Sequence, residues 1–202
     1  MKHLQLLFEF LFLIENFVND YYFFSLIIFS IFIFIYALIS FPAIAIVWLF
    51  SGYVFGIFIG YILAIIFTAT GSLCLFLLSK NIFHSFFKSK FKGSIMKLEN
   101  KIKNNSLEIL ILFRMFPINM PFFIQNVGLS FLNISYINFF ISTLIGLTPL
   151  VLFAVIIGNN FTQFNELKSF NLDNLLSLNL LIPVFIIFIF LILRIILKNR
   201  KF

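Results

Sequence analysis

Hydrophobic positions run through this chain in long blocks that the alternation of a water-soluble domain does not explain. Tyr21 to Ser79 and Met115 to Asn165 contain no Asp, Glu, Lys or Arg. A bilayer crossing needs about 20 apolar residues, so each block is too long for one. Prolines and glycines divide both blocks. The pattern predicts full crossings over Tyr21–Ser40, Tyr53–Ser79, Ile134–Gly158 and Leu178–Leu197. Phe41–Gly52 is too short to cross. Pro42 stops the first helix because its ring removes a donor and disfavours helix at Phe41. Ser51-Gly52 then permits a sharp turn, which makes Phe41–Gly52 a re-entrant segment. Leu107–Asn133, with Pro117, Pro121 and Gly128, is too broken for one straight helix and too apolar for a loop. It is predicted to be a second re-entrant hairpin.

The expected fold is therefore an all-α polytopic membrane protein of about four transmembrane helices and two re-entrant hairpins. FPAIAIVWLFSG from Phe41 and FPINMPFFIQNVG from Phe116 both begin Phe-Pro, reach a turn glycine (Gly52, Gly128) and lead into a crossing. Matching patterns that enter from opposite sides are what an inverted repeat produces, with the transported species held near the midplane. Residues 1–20 place Gln5, Glu9 and Asn16 among Leu and Phe, as in an amphipathic helix on the membrane surface. Glu9 and Glu15 interrupt the apolar stretch that a signal peptide would need. One membrane domain then covers 21–197, with a Lys-rich loop over 80–106 and a tail at 198–202.

Composition agrees. Of 202 residues, 62% are hydrophobic and the mean hydropathy is +1.14, which excludes a soluble domain. The 34 Phe and the excess of Lys over Arg fit AT-rich codons rather than an aromatic site. Lysine placement sets orientation. Lys80 to Lys103 is strongly basic, as is the tail with Lys198, Arg200 and Lys201, whereas Asn159–Ser177 carries Glu166, Lys168 and Asp173. Both termini are expected in the cytoplasm, with the chain in the plasma membrane (the inner membrane of a bacterium). Apolar residues at helical spacing among Lys80, Lys88, Lys90 and Lys92 suggest two short surface helices on an anionic leaflet. That face prefers lipid to nucleic acid. Membrane lipids are the expected partners, and a homo-oligomer is left open.

Few residues can carry chemistry. His3, His84 and the lone Cys74 form no metal-ligand pattern. No base is placed to activate a serine, and no Walker loop is present. Neither an enzyme nor a cofactor is expected. Gly52, Gly56 and Gly60 recur at four-residue spacing, a smooth face for close helix packing. Arg114 stands out, between an apolar run and two prolines. A guanidinium in lipid faces a polar cavity, an anion or the interface. It either contacts a phosphate or carboxylate or anchors the hairpin by snorkelling. Asn119, Gln125 and Asn126 add polar groups that line a wet path or satisfy backbone freed by the prolines. Glu108 either pairs with Arg114 across the hairpin or, with Asn105, caps its start.

FRMFPINMPFFIQNVGLS, Phe113 to Ser130, resembles the Arg-x-x-Pro-x-x-x-Pro region, with its following Gly, of the DedA/VTT-domain family (SNARE-associated Golgi protein-like). FPAIAIVWLFSGYVFGIFIG from Phe41 is a second match, and Phe76 with Lys80 resembles the aromatic-x-x-x-basic motif closing the family's second helix. The likeness covers about 41–158. It implies facing re-entrant hairpins and lipid movement: polyprenyl-phosphate recycling and proton-dependent membrane homeostasis in bacterial members, phospholipid scrambling in eukaryotic relatives. Arg114 would then be the second-hairpin arginine, and Pro42, Pro117 and Pro121 hairpin prolines. The first hairpin lacks the acidic residue of proton-coupled members, so the likeness is to the subgroup without it. The expected function is movement of an anionic lipid between leaflets along Pro42, Gly52, Gly56, Glu108, Arg114, Pro117, Asn119, Pro121 and Gly128. The rivals are an ion- or proton-coupled transporter of a small solute, with Glu108 titrating, and a non-transporting lipid-binding scaffold.

Overall fold

The computed structural model describes residues 13–14, 16–90, 106–115, 121–132 and 134–161. They form helices α1 (Tyr22–Ile39), α2 (Ile44–Lys90), α3 (Ser106–Met115), α4 (Phe122–Ser130) and α5 (Tyr136–Phe161), with no strand among the described residues. Tyr22–Ile39, Ile44–Ile82 and Tyr136–Asn160 are each long and apolar enough to cross a bilayer. The protein is an all-α polytopic membrane protein. Its surface confirms this. On α1, Phe23, Phe24, Ile27, Ile31 and Ile39 face outward, while Ser25, Ser30, Ile33 and Ala37 are buried. Ser25 and Ser30 donate back to the Tyr21 and Leu26 carbonyls, so their hydroxyls remain satisfied without water.

α2 is not one rod. Gly56 has φ 75° and ψ −179°, a region essentially reserved for glycine. There the chain reverses. Trp48 and Thr68 would stand about 30 Å apart in a continuous helix, yet Trp48 Nε1 donates to Thr68 Oγ1 at 3.0 Å. Ser51 Oγ likewise reaches the Gly60 carbonyl at 2.8 Å. Gly60 has no room for a Cβ because the Ser51 backbone lies against it.

A second reversal precedes α2. α1 ends in a Schellman motif: Ser40 N–H bonds the Ala37 carbonyl and Phe41 N–H the Tyr36 carbonyl. The Tyr36 and Phe41 rings supply the accompanying apolar contact, with centroids 5.4 Å apart. Ser40 takes the left-handed conformation (φ 51°, ψ 45°) and Ala43 also has positive φ. Tyr36 Oη donates to the Pro42 carbonyl at 2.6 Å. The chain then returns along α1, so that Tyr22 and Phe29 both pack on Phe55.

α5 serves as a depth gauge. At its N-terminal end, Lys80 Nζ donates to the Ile134 carbonyl at 3.0 Å and Phe76 stacks on Phe139. At its other end Gly158 lies against Leu49, Gly52 against the Val155 carbonyl, and Gly56 beside Asn159. Between them Gly146, about 15 Å of helix rise from Tyr136, meets Ile111 and Arg114 of α3. Two hairpins therefore approach the middle of α5 from opposite ends. The first, α1 with residues 44–55, has its open end near Asn159 and its tip at Ser40–Ala43. The second, α3 with α4, packs its base with Phe76, Leu132 and Ile134. Residues 116–120, between α3 and α4 in the chain, lie outside the described residues.

Several expectations are corrected. The reversal expected at Ser51-Gly52 falls at Gly56, because only Gly56 has the backbone that turns. Gly52 is helical and packs on α5. Gly52, Gly56 and Gly60 do not share one helix face, since the turn separates them. Gly128 is not a turn glycine: it lies inside α4, and a Cβ there would meet nothing within 4 Å. α1 is long and apolar enough to cross, as expected, and residues 44–55 return along it. The helix after Gly56 runs unbroken to Lys90, so the first surface helix expected beyond Ser79 is its continuation. The crossing at Leu178–Leu197, the second surface helix and most of the amphipathic N-terminal segment lie outside the described residues.

Candidate functional site

Arg114 occupies the last turn of α3, where the negative end of the helix favours a cation. Its side chain is completely buried. Gly146 makes this placement feasible, since any side chain there would strike Arg114 Cβ and the Ile111 carbonyl. Arg114 Nη1 donates to Asn126 Oδ1 at 2.7 Å. The two residues would be about 18 Å apart in a straight helix, so the chain turns between α3 and α4 and this bond links the two helices.

The chain of donors continues. Asn126 Nδ2 donates to Ser40 Oγ at 2.9 Å and, at 3.4 Å, to Ser72 Oγ. Ser40 Oγ donates to the Ala37 carbonyl at 3.1 Å. The bonds through Ser40 point the same way, from the guanidinium to the C-terminal carbonyls of α1. Those carbonyls carry partial negative charge, so the first hairpin's tip offsets part of the buried charge. Asn126, Ser72 and Ser40 are themselves buried.

One guanidinium face lies over the Phe139 ring, 4.6 Å from its centroid. Phe139 stacks on Phe76 at 4.2 Å, and Lys80 Nζ stands 5.5 Å from the Phe76 centroid. Two cations thus bracket a stacked ring pair.

Arg114 remains underserved. Its Nε and Nη2 are buried and have no hydrogen-bond partner among the described residues. Burying an ion costs several kcal/mol even after relaxation. One charge-assisted hydrogen bond returns roughly 1.5–3 kcal/mol and a desolvated cation–π contact about 2 kcal/mol. The unpaired Nε/Nη2 edge is the planar fork that matches a carboxylate or phosphate through two parallel bonds. One side of the guanidinium is thus matched by a neutral amide, and the other is buried and unmatched among the described residues.

The remaining expected residues distribute unevenly. Glu108 sits in the first turn of α3, half-buried, two-thirds of that short helix away from Arg114. The hydrogen bond described for Arg114 goes to Asn126. Pro121 is the N-cap of α4 and its carbonyl accepts from Gln125 N. Pro42 belongs to the first tip, while Gly52 and Gly56 shape that hairpin away from the cluster. Lys80 is at the α5 base. Lys88 and Lys90 fall on the helical end of α2, and only their backbone is described. Pro117, Asn119, Lys92 and Asn105 lie outside the described residues. Sequence reasoning named Asn126 only as a general polar group and missed Ser40, Ser72 and Phe139. Ser40, immediately ahead of Phe-Pro, carried the one usable signal: a polar residue at the end of an apolar run.

A family model described as VTT domain matches residues 41–160 of the chain. No solved structure matches it.

Proposed function

This chain belongs to the VTT-domain family, and on that premise we propose that it moves an anionic lipid between the leaflets of a cell membrane, taking the headgroup phosphate on the Nε/Nη2 edge of Arg114. The carrying observation is the unpaired fork of a fully buried arginine, linked through Asn126 to Ser40 at the end of α1. A headgroup has to pass the hydrocarbon core, where a fixed cation lowers the cost of its negative charge. No covalent step is involved. Lysine bias places the Lys80 end in the cytoplasm.

The chemistry shared by candidate substrates is a phosphate on a lipid, so the test uses two sources. Full-length protein is reconstituted in vesicles, and the movement of labelled phospholipid or polyprenyl phosphate is followed against empty vesicles. Acceleration of either supports the proposal and identifies the source. No acceleration of both sinks it. Arg114→Ala should reduce the rate and Arg114→Lys restore it partly, because ammonium keeps the charge but loses the fork. Coupled transport through Glu108 has no comparable support, since Glu108 lies toward the base of the second hairpin.

A further inference from the structure

The backbone of Ser40 points to a role that its sequence position hides. A left-handed residue at a helix C-terminus is ordinarily glycine, because any Cβ is disfavoured there. Ser40 adopts that conformation with a side chain. Strain of this kind persists where the surroundings over-determine it, and it clusters at functional sites. Here the side chain has a definite use. Its proton is committed to the Ala37 carbonyl at 3.1 Å, which leaves its lone pairs for Asn126 Nδ2 at 2.9 Å. An amide that donates to Ser40 must present its oxygen on the other side, where Arg114 Nη1 lies at 2.7 Å. With Nη1 held, the guanidinium plane is fixed over Phe139 and the Nε/Nη2 edge stays unpaired.

We propose that Ser40 is a positioning residue: its hydroxyl, held at the tip of the first hairpin by a backbone conformation that glycine would adopt more readily, locks the Asn126 amide and thereby aims the Arg114 fork. Anion recognition in the second hairpin thus depends on a residue of the first, contributed across the midplane. The activity arm of the test rests on the lipid-moving proposal; the spectroscopic arm does not.

Glycine at position 40 separates aiming from folding. A residue that merely ends α1 is replaced by glycine at no cost or with a gain. A residue that aims Arg114 is not. The protein has three arginines, Arg114, Arg194 and Arg200, so arginine-labelled full-length protein in micelles gives few Nε–H resonances, and Arg114→Lys identifies the relevant one. Ser40→Gly should keep or raise the thermal midpoint, displace the Arg114 resonance, and slow lipid movement in vesicles about fivefold, the equivalent of one hydrogen bond. Ser40→Thr keeps the hydroxyl but strains a branched residue. It should lower the midpoint and leave the resonance near its wild-type position. An unmoved resonance in Ser40→Gly overturns the proposal, as does, where the wild type moves lipid, a moved resonance with an unchanged rate. Failure of Ser40→Gly to fold also overturns it, since glycine suits that backbone. A wild-type protein that moves no lipid sinks the transport proposal alone, because the resonance is read without lipid transport.

Discussion

Trp48, Ser51 and Tyr36, in the first hairpin, each send a hydrogen bond to a neutral partner: Thr68 Oγ1, the Gly60 carbonyl and the Pro42 carbonyl. Gly52 and Gly60 let backbone meet backbone without intervening side chains. In the second hairpin α3 and α4 are short, and the bond described between them near the tip joins a cation to a neutral amide. The first hairpin is thus closed by packing and satisfied polar groups. The second is held around a charge that its own residues leave half-served. Lipid offers no hydrophobic drive for helices to associate, so small residues and paired hydroxyls are the means by which a hairpin closes. A hairpin that instead buries an unpaired fork forgoes that stability. The contrast divides the two: one is closed by satisfied groups, the other is built around an unsatisfied cation.

Substitutions can break or sharpen that division. The largest effect is expected from Gly52→Ala, whose new methyl would overlap the Val155 carbonyl of α5. Backbone cannot yield as a side chain does, and a loss of about 3 kcal/mol is expected, measured by reversible unfolding in mixed micelles. A near-neutral result would show that glycine packing does not close the first hairpin. Arg114→Met comes next and carries the opposite sign for stability. Replacing a poorly compensated buried charge with an apolar side chain should leave stability unchanged or raise it by about 1 kcal/mol. Lipid movement should fall about thirtyfold, the equivalent of ~2 kcal/mol. Strong destabilisation would make Arg114 a structural group and erase the contrast.

Asn126→Asp sharpens the comparison. A carboxylate beside Arg114 would occupy the guanidinium from within, and the thermal midpoint should rise. Transport should slow about tenfold, a loss of ~1.4 kcal/mol in headgroup affinity. A faster rate would mean that the open fork is not where the anion binds. Gly128→Ala is the smallest change. A Cβ there meets nothing within 4 Å, and alanine favours a helix interior over glycine by roughly 0.5–1 kcal/mol. A small gain in stability with an unchanged rate is expected. A large loss of rate would restore Gly128 to the path on which its turn-like spacing first placed it.

The two hairpins were legible in sequence to different degrees. Blocks without charges and the repeated Phe-Pro marked both, because a segment too short to cross and too apolar for water has few other places to go. Their geometry was less legible. Two glycines within five residues, Gly52 and Gly56, offer the same local freedom; which one turns depends on where the returning helix finds α5. The packing of residues 44–55 back along α1 was hidden for a related reason. Its 18 residues suffice for a crossing, and length alone does not tell a crossing from the arm of a hairpin.

Sequence by itself determined that this is an all-helical membrane protein with a cation in its second broken segment, because hydropathy and proline chemistry act residue by residue. Tertiary structure alone decided what that cation meets. Ser40 and Asn126 are 86 residues apart, and nothing in the local pattern of either specifies the other. Their pairing follows from a requirement on the whole fold: in a medium without water, donors and acceptors must find one another across helices, and among the described residues Arg114 Nε and Nη2 are the donors that find none.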